Sequence, residues 1–259
     1  MKERPVMPAN ETAQLIHADC MEAMHLIADG SVDMVCADVP YGTTQCAWDS
    51  VLDLELMWSH LHRIAKPNAA IVLFSAQPYT SVLVNSNIRH WKTEWIWEKG
   101  NATGFLNAKK QPLRAHENIL VFYRGMPTYN PQFTDGHPRK TSRRKTVNSE
   151  VYGEAVTLTE YDSTRRYPRD VQFFSSDKQK GRYHPTQKPV GLVRYLIETY
   201  SNPGDVVLDF TMGSGTAGVA CSATGRRFIG IEKEQKYVEV AHRRIFGDST
   251  REVERGKAD

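Results

Sequence analysis

Asp33-Met34-Val35-Cys36-Ala37-Asp38-Val39-Pro40-Tyr41-Gly42 is an apolar run that stops abruptly in a carboxylate, a proline, an aromatic ring and a glycine. Met34 to Ala37 is short and uninterrupted, with charge on one side and turn formers on the other, the pattern of a strand buried inside a parallel sheet. The ligand crevice of such a sheet lies outside the carboxyl ends of its strands, so Asp38 and Tyr41 are expected to project into it. By itself the stretch also reads as a plain turn, with Pro40 fixing its own φ and Gly42 relieving strain. The far end of the chain separates the two readings.

Working outward, Leu15 to Asp19 reads as a strand turning into a helix over Cys20 to Ala28, stopped by Gly30. Leu52 to Ala65 carries a helical apolar stripe that ends before Pro67, and Ala69 to Ser75 is another continuous apolar strand. Pro78 to Asn85 begins a helix, Trp91 to Trp97 is an aromatic strand, and Ile119 to Tyr123 completes the first half of a sheet. Trp91, Trp95 and Trp97 alternate along their strand, which fits packing better than ligand binding. His17, His25, His60, His62 and His90 are scattered, as surface or satisfied histidines are.

From Gly125 to Tyr183 the periodicity dissolves into polar, basic and proline-containing sequence. Between Arg124 and Arg182 there are 12 Lys or Arg against 7 Asp or Glu, while the whole chain carries a formal net charge of only +3. Arg139, Lys140, Arg143, Arg144 and Lys145 crowd into one short segment, and seven Tyr and Phe from Tyr129 to Phe174 argue that part of this region packs.

At 259 residues with 40% hydrophobic composition, the chain can build one large α/β domain with an insertion. The four cysteines form no Cys-x-x-Cys pair, which points to reduced thiols and away from a metal site. No apolar stretch approaches the length of a membrane span, so a soluble, cytoplasmic protein is expected.

Order returns at His184-Pro-Thr-Gln-Lys188-Pro189, where Pro189 suits the first turn of a helix over Val190 to Thr199. A strand over Val206 to Phe210 leads through the glycine loop Gly213-Ser214-Gly215-Thr216 into the helix Ala217 to Ala223. The strand Arg227 to Ile231 then ends on Glu232, before a last helix over Tyr237 to Phe246. Strand, glycine loop, helix, strand and acidic residue form a nucleotide-type unit, in which glycines admit a ligand to the backbone and the carboxylate suits ribose hydroxyls. The third glycine of a dinucleotide fingerprint is missing, which disfavours a nicotinamide-dependent oxidoreductase.

Taken in order, Asp38-Val-Pro-Tyr41, His184 to Pro189, Asp209-Phe-Thr-Met-Gly-Ser-Gly-Thr216 and Ile229-Gly-Ile-Glu232 resemble the DNA amino-methyltransferases, in the permuted (beta) group whose catalytic tetrapeptide precedes the S-adenosylmethionine loop. The resemblance covers about residues 14 to 123 and 184 to 246. It implies a Rossmann-like methyltransferase fold, α/β and mostly parallel with an antiparallel edge hairpin. A catalytic half over 1–123 and a cofactor half over 184–247 would flank a target-recognition insert over 124–183, with a charged tail over 248–259.

By the same resemblance Asp38, Val39, Pro40 and Tyr41 form the catalytic loop, and Asp19, Asp38, Lys188, Asp209, Gly213, Ser214, Gly215, Thr216 and Glu232 surround S-adenosylmethionine. The partner implied is double-stranded DNA, contacted through Arg139, Lys140, Arg143, Arg144 and Lys145, with Lys99 and His116-Glu117 where the target strand passes. A homodimer is left open, and no metal is implied. An acidic residue at the head of the tetrapeptide, where serine is the alternative, favours the N6 amine of adenine over the N4 amine of cytosine. Two positions depart from the family pattern. Val39 stands where the tetrapeptide usually has its first proline, and Phe210-Thr211 stands where proline and phenylalanine usually precede the glycine loop. A valine at 39 still offers the backbone carbonyl that the reaction needs, although it gives up a fixed φ. A catalytically silent DNA-binding relative is the alternative that these departures raise.

Overall fold

The computed structural model describes residues 11–41, 52–144, 147–149, 153–155, 159–175, 183 and 187–247. In chain order the elements are β1 (Ala13–His17), α1 (Cys20–Ala23), β2 (Val32–Asp38), α2 (Leu54–Ile64), β3 (Ala65–Ser75), α3 (Tyr79–Ser86), β4 (Trp91–Thr103) and β5 (Arg114–Phe122). The short strands β6 (Lys140–Arg144), β7 (Val147–Ser149), β8 (Gly153–Ala155) and β9 (Thr159–Ser163) follow. They precede β10 (Val171–Phe174), α4 (Val190–Tyr200), β11 (Val206–Asp209), α5 (Thr216–Thr224), β12 (Arg227–Glu232) and α6 (Gln235–Phe246).

An eight-stranded sheet in the order β1-β12-β11-β2-β3-β5-β4-β10 carries the fold. Only β5 runs against the rest, pairing antiparallel with β3 and with β4. The expected antiparallel hairpin is therefore present, but it is not the edge: β10 pairs parallel with β4 outside it. Alternate residues of β2 feed two cores, as the unbroken apolar run requires of a strand covered on both faces. Val35 and Ala37 join α1, α2 and α3 on one face, while Met34 and Cys36 join α4, α5 and α6 on the other.

Local chemistry explains the helix starts that frame the site. Asp53, itself in extended conformation, accepts the Leu56 N–H at 3.1 Å and opens α2, the geometry of an N-cap. Gly215 opens α5 at φ 76°, and a Cβ there would come within 2.7 Å of Ala241 Cβ on α6, so glycine is needed on both counts.

Trp95 and Trp97 are buried, donating their indole N–H to Tyr200 Oη and to the Phe174 carbonyl, each at 2.8 Å. His60 corrects the expectation of surface or satisfied histidines: it is 4% exposed, against the edge of the His25 ring. The described helices include none long and apolar enough to cross a membrane.

The chain divides into two compact units, Pro131–Arg169 and the remainder. The smaller unit is narrower than the 124–183 stretch marked by composition, because Val171–Phe174 finds its hydrogen-bond partner in β4. Within the smaller unit β6 pairs antiparallel with β9, and Arg165 lies 4.3 Å from the centre of the Phe133 ring. The tail over 248–259 lies outside the described residues.

Candidate active site

The carboxyl ends of β1, β2, β11 and β12 converge on one edge of the main unit. At the end of β2, Asp38 receives the Tyr41 hydroxyl on Oδ1 at 2.8 Å and Lys188 Nζ on Oδ2 at 2.8 Å. Lys188 also lies 3.0 Å from Glu117 Oε2 on β5, an ion-pair contact without hydrogen-bond geometry, and Lys99 on β4 donates to the other Glu117 oxygen. Two lysines and two carboxylates thus alternate from the hairpin to the loop that begins at Asp38. Lys188 is 7% exposed, packed between the rings of Tyr41 and Phe74 with Nζ at 5.8 and 5.3 Å from their centres.

Burial works against every charge in this chain of contacts, and proximity decides the outcome. It lifts the Asp38 carboxyl above its ordinary range, with Glu117 adding repulsion and Lys188 opposing both. For Lys188 the two carboxylates outweigh burial and hold the ammonium charged above its usual value. Glu117, with a lysine on each oxygen, is held below the ordinary range despite its burial.

The loop from Asp38 to Tyr41 is anchored twice. Val39, which lacks the fixed φ of a proline, is 2% exposed and packed into the core. Thr211 Oγ1, the second departure, donates to the Asp38 carbonyl at 3.1 Å and so ties the end of β2 to the glycine loop. Pro40 and Tyr41 follow at half-buried positions, and the Tyr41 ring stands 5.5 Å from that of Tyr79, tilted by 31°.

The glycine loop and its neighbours form the second half of the site. Asp209, buried at the end of β11, accepts the Thr211 N–H at 3.1 Å. Glu232 at the end of β12 accepts Gly213 N–H on one oxygen at 3.0 Å and Glu234 N–H on the other at 2.8 Å. Arg244 from α6, whose place in the motif order carries no assigned role, donates to the Ser214 carbonyl at 2.6 Å and hydroxyl at 2.8 Å, and to the Thr216 hydroxyl at 3.3 Å. Asp19, beyond the end of β1, caps α1 through Met21 N–H at 2.8 Å, and its neighbour Ala18 donates to the Glu232 carbonyl at 3.1 Å. Asp19 and Glu232 therefore stand at adjacent strand ends.

Burial pushes the Asp209 carboxyl up to about 8, with further repulsion from Asp38 and Glu232. Glu232 is raised too, chiefly by burial. Carboxylates that repel one another beside the buried glycine loop suit a cationic ligand. A sulfonium nucleoside with an amino-acid tail, S-adenosylmethionine, has that charge, and its ribose hydroxyls match a carboxylate such as Glu232 that keeps lone pairs beyond its two backbone bonds. The residues present fit the group.

Asp209 yields a stability test. Its folded value near 8 exceeds the unfolded one near 4, so its contribution to stability is lost as pH rises between about 4 and about 8. Asp209→Asn has no such loss and keeps an acceptor for Thr211. Its melting temperature, measured without cofactor, is expected to gain on the wild type across that interval, while its affinity for S-adenosylmethionine falls. Parallel melting curves at every pH would remove Asp209 from the buried set.

The basic cluster is only partly available to a ligand. Arg139 is held by Asp162, with Nε to Oδ1 at 2.6 Å and Nη2 to Oδ2 at 2.5 Å, so it braces the small unit. Lys140 and Arg143 are exposed on β6, Arg144 closes that strand, and Lys145 lies outside the described residues, as do His184, Pro185 and Thr186.

Comparisons with known proteins agree with this geometry. The model of the DNA methylase family matches residues 32–243. The DNA adenine methyltransferase YhdJ of Escherichia coli K12 is 26% identical over 93% of this chain and 85% of its own length. The type II methyltransferase M.HinfI of Haemophilus influenzae is 30% identical over 89% of this chain and 67% of its own. Among solved structures, the M1.HpyAVI complex with S-adenosylmethionine aligns with a TM-score of 0.63 at 24% identity, covering 90% of this chain and 98% of that one. The cytosine-N4-specific PvuII DNA methyltransferase aligns with a TM-score of 0.66 at 16% identity, covering 93% and 90%. The chain belongs to the DNA methylase family, whose members are S-adenosylmethionine-dependent enzymes acting on DNA.

Proposed function

We propose that this chain methylates the N6 amine of adenine at a specific site in double-stranded DNA. The observation that carries the reading is the Asp38 carboxylate at the mouth of the sheet, bound by Tyr41 and Lys188 and joined to the glycine loop through Thr211. The adenine preference is supported by an aspartate at the head of the loop and by the similarity to an enzyme named a DNA adenine methyltransferase.

The exocyclic amine of adenine is a weak nucleophile because its lone pair is delocalised into the ring. Hydrogen bonds from that amine to the Asp38 carboxylate and the carbonyl of Val39 draw the nitrogen toward tetrahedral geometry and aim its lone pair. Bound S-adenosylmethionine supplies the methyl group; Asp209, Glu232 and the loop Gly213 to Thr216 hold it. Tyr41 is the platform on which the base stacks once it has left the duplex, a contact worth about 1 to 3 kcal/mol. Lys140, Arg143, Arg144 and Lys145 contact phosphates from the target-recognition region, and the order of the two halves supports the permuted arrangement.

The test is transfer of labelled methyl from S-adenosylmethionine to unmethylated genomic DNA, wild type beside Asp38→Ala, followed by nucleoside analysis. Label is expected in N6-methyladenine and absent from the variant. Label in N4-methylcytosine would overturn the base assignment, and cofactor binding without transfer would support a silent DNA binder.

A further inference from the structure

The β4–β5 hairpin reaches beyond the sheet on the side of the active site. β3 and β4 are both antiparallel to β5, and β2 is parallel to β3, so the carboxyl end of β4 leaves by the edge that carries Asp38. The Lys99–Glu117 pair marks where the hairpin passes the Asp38–Lys188 contact. Arg114 lies three residues past Glu117, about 10 Å at the rise of an extended strand. The connection then turns through a short helix over Phe105–Asn107, opened by Gly104 at φ 89°, a conformation that favours glycine.

Every residue from Asn101 to His116 is exposed except for its place in the hairpin ladder. At the apex Phe105 is 81% and Leu106 99% exposed, the two most exposed large apolar side chains among the described residues. Both cores of the sheet are closed without them. Adjacent apolar side chains in that position mark an interaction surface. The charge beside them is one-sided: Lys109, Lys110 and Arg114 stand in a stretch, Gly100 to His116, that contains no aspartate or glutamate. An apolar protein surface would match Phe105 and Leu106 but would leave that charge unanswered. A nucleic-acid duplex answers both, since apolar wedges enter between base steps while lysine and arginine lie on phosphates.

We propose that the β4–β5 hairpin is a DNA-contacting finger. Phe105 and Leu106 insert between base pairs beside the target and hold the duplex open for the base that leaves it, and Lys109, Lys110 and Arg114 lie on the flanking phosphates. The inference rests on the reading of this chain as an enzyme of duplex DNA.

Two variants of the full chain test it. Each is built at exposed positions, and a melting curve with S-adenosylmethionine checks that the fold and cofactor binding persist. Phe105→Ala/Leu106→Ala is expected to lower methyl transfer to native plasmid DNA about tenfold or more, the loss of one well-formed wedge contact. The salt slope of DNA binding should stay unchanged in that variant. Lys109→Ala/Lys110→Ala/Arg114→Ala is expected to flatten the salt slope by about 2 to 3, at about 0.9 for each phosphate contact. Full transfer by the first variant overturns the wedge, and an unchanged slope in the second overturns the phosphate grip. A wild-type chain that neither binds nor methylates DNA would instead overturn the reading on which the finger rests.

Discussion

Asp38→Asn is expected to lower methyl transfer about 10²- to 10³-fold, the usual effect of removing one preorganised group from a reacting centre. The asparagine keeps an acceptor oxygen and nearly the same shape, so Thr211 can still bond the backbone carbonyl at 38 and Tyr41 can still find a partner. What disappears is the charge. A hydrogen bond from the adenine amine to a carboxylate is roughly twice as strong as one to a neutral amide, and it strengthens as the nitrogen acquires positive charge. The loss therefore falls on kcat more than on cofactor affinity. The pH profile carries the same signature. Burial and Glu117 raise the Asp38 carboxyl, with Lys188 opposing, so the ionised form that accepts from the amine is reached above the ordinary carboxylate range. The wild-type rate should rise with pH through that ionisation, whereas the residual rate of Asp38→Asn should lack this limb. An asparagine variant with full kcat would remove the carboxylate from the chemistry.

Much of this site is legible from residue order. The run Asp33 to Gly42 gives a two-sided buried strand ending in Asp38, and alternate burial of Met34, Val35, Cys36 and Ala37 on opposite faces is what its unbroken apolarity requires. Glycine loop, helix and terminal Glu232 follow from short-range signals of the same kind. Less legible is whatever depends on contacts distant in sequence. Glu117 meets Lys188 only because β5 turns back along β3, and nothing local in Ala115 to Asn118 signals that encounter. The extension of β4 to Thr103 escapes notice because its outer half, Glu98 to Thr103, is polar and shifts register against β5 between Glu98 and Thr103, so no period of two survives there. Arg244 sits on a helix face among other charges and declares its role only where it meets Ser214. The Val39 departure alone points to a loosened loop when compared with a family pattern, yet in three dimensions Val39 is buried, and Thr211, the second departure, bonds the Asp38 carbonyl.

Lys188→Met is expected to destabilise the protein by about 3 to 5 kcal/mol, the range for removing one partner of a buried ion pair. Methionine nearly fills the volume, so the effect isolates the charge. Without the ammonium, Asp38 loses the partner 2.8 Å away and Glu117 the one 3.0 Å away, and two partly buried carboxylates repel each other with only Lys99 left between them and solvent. The sign of the pH dependence follows. With Lys188 gone both carboxyls shift upward in the folded state relative to the unfolded one, so the variant is most stable at low pH and loses stability as pH rises through the shifted values. The wild type, in which Glu117 is held below its ordinary range, gains stability from Glu117 over the corresponding acidic interval as pH rises. Urea midpoints for the two proteins between mildly acid and neutral pH should therefore diverge. Glu117→Gln added to Lys188→Met removes the repulsion, and it should recover part of the stability by making the double substitution less damaging than the sum of the singles. It should not recover methyl transfer, because Asp38 would still lack the ammonium that fixes one of its oxygens. Additive losses in stability would mean that Lys188 and Glu117 act independently, and a double variant with restored turnover would place Lys188 in stability alone.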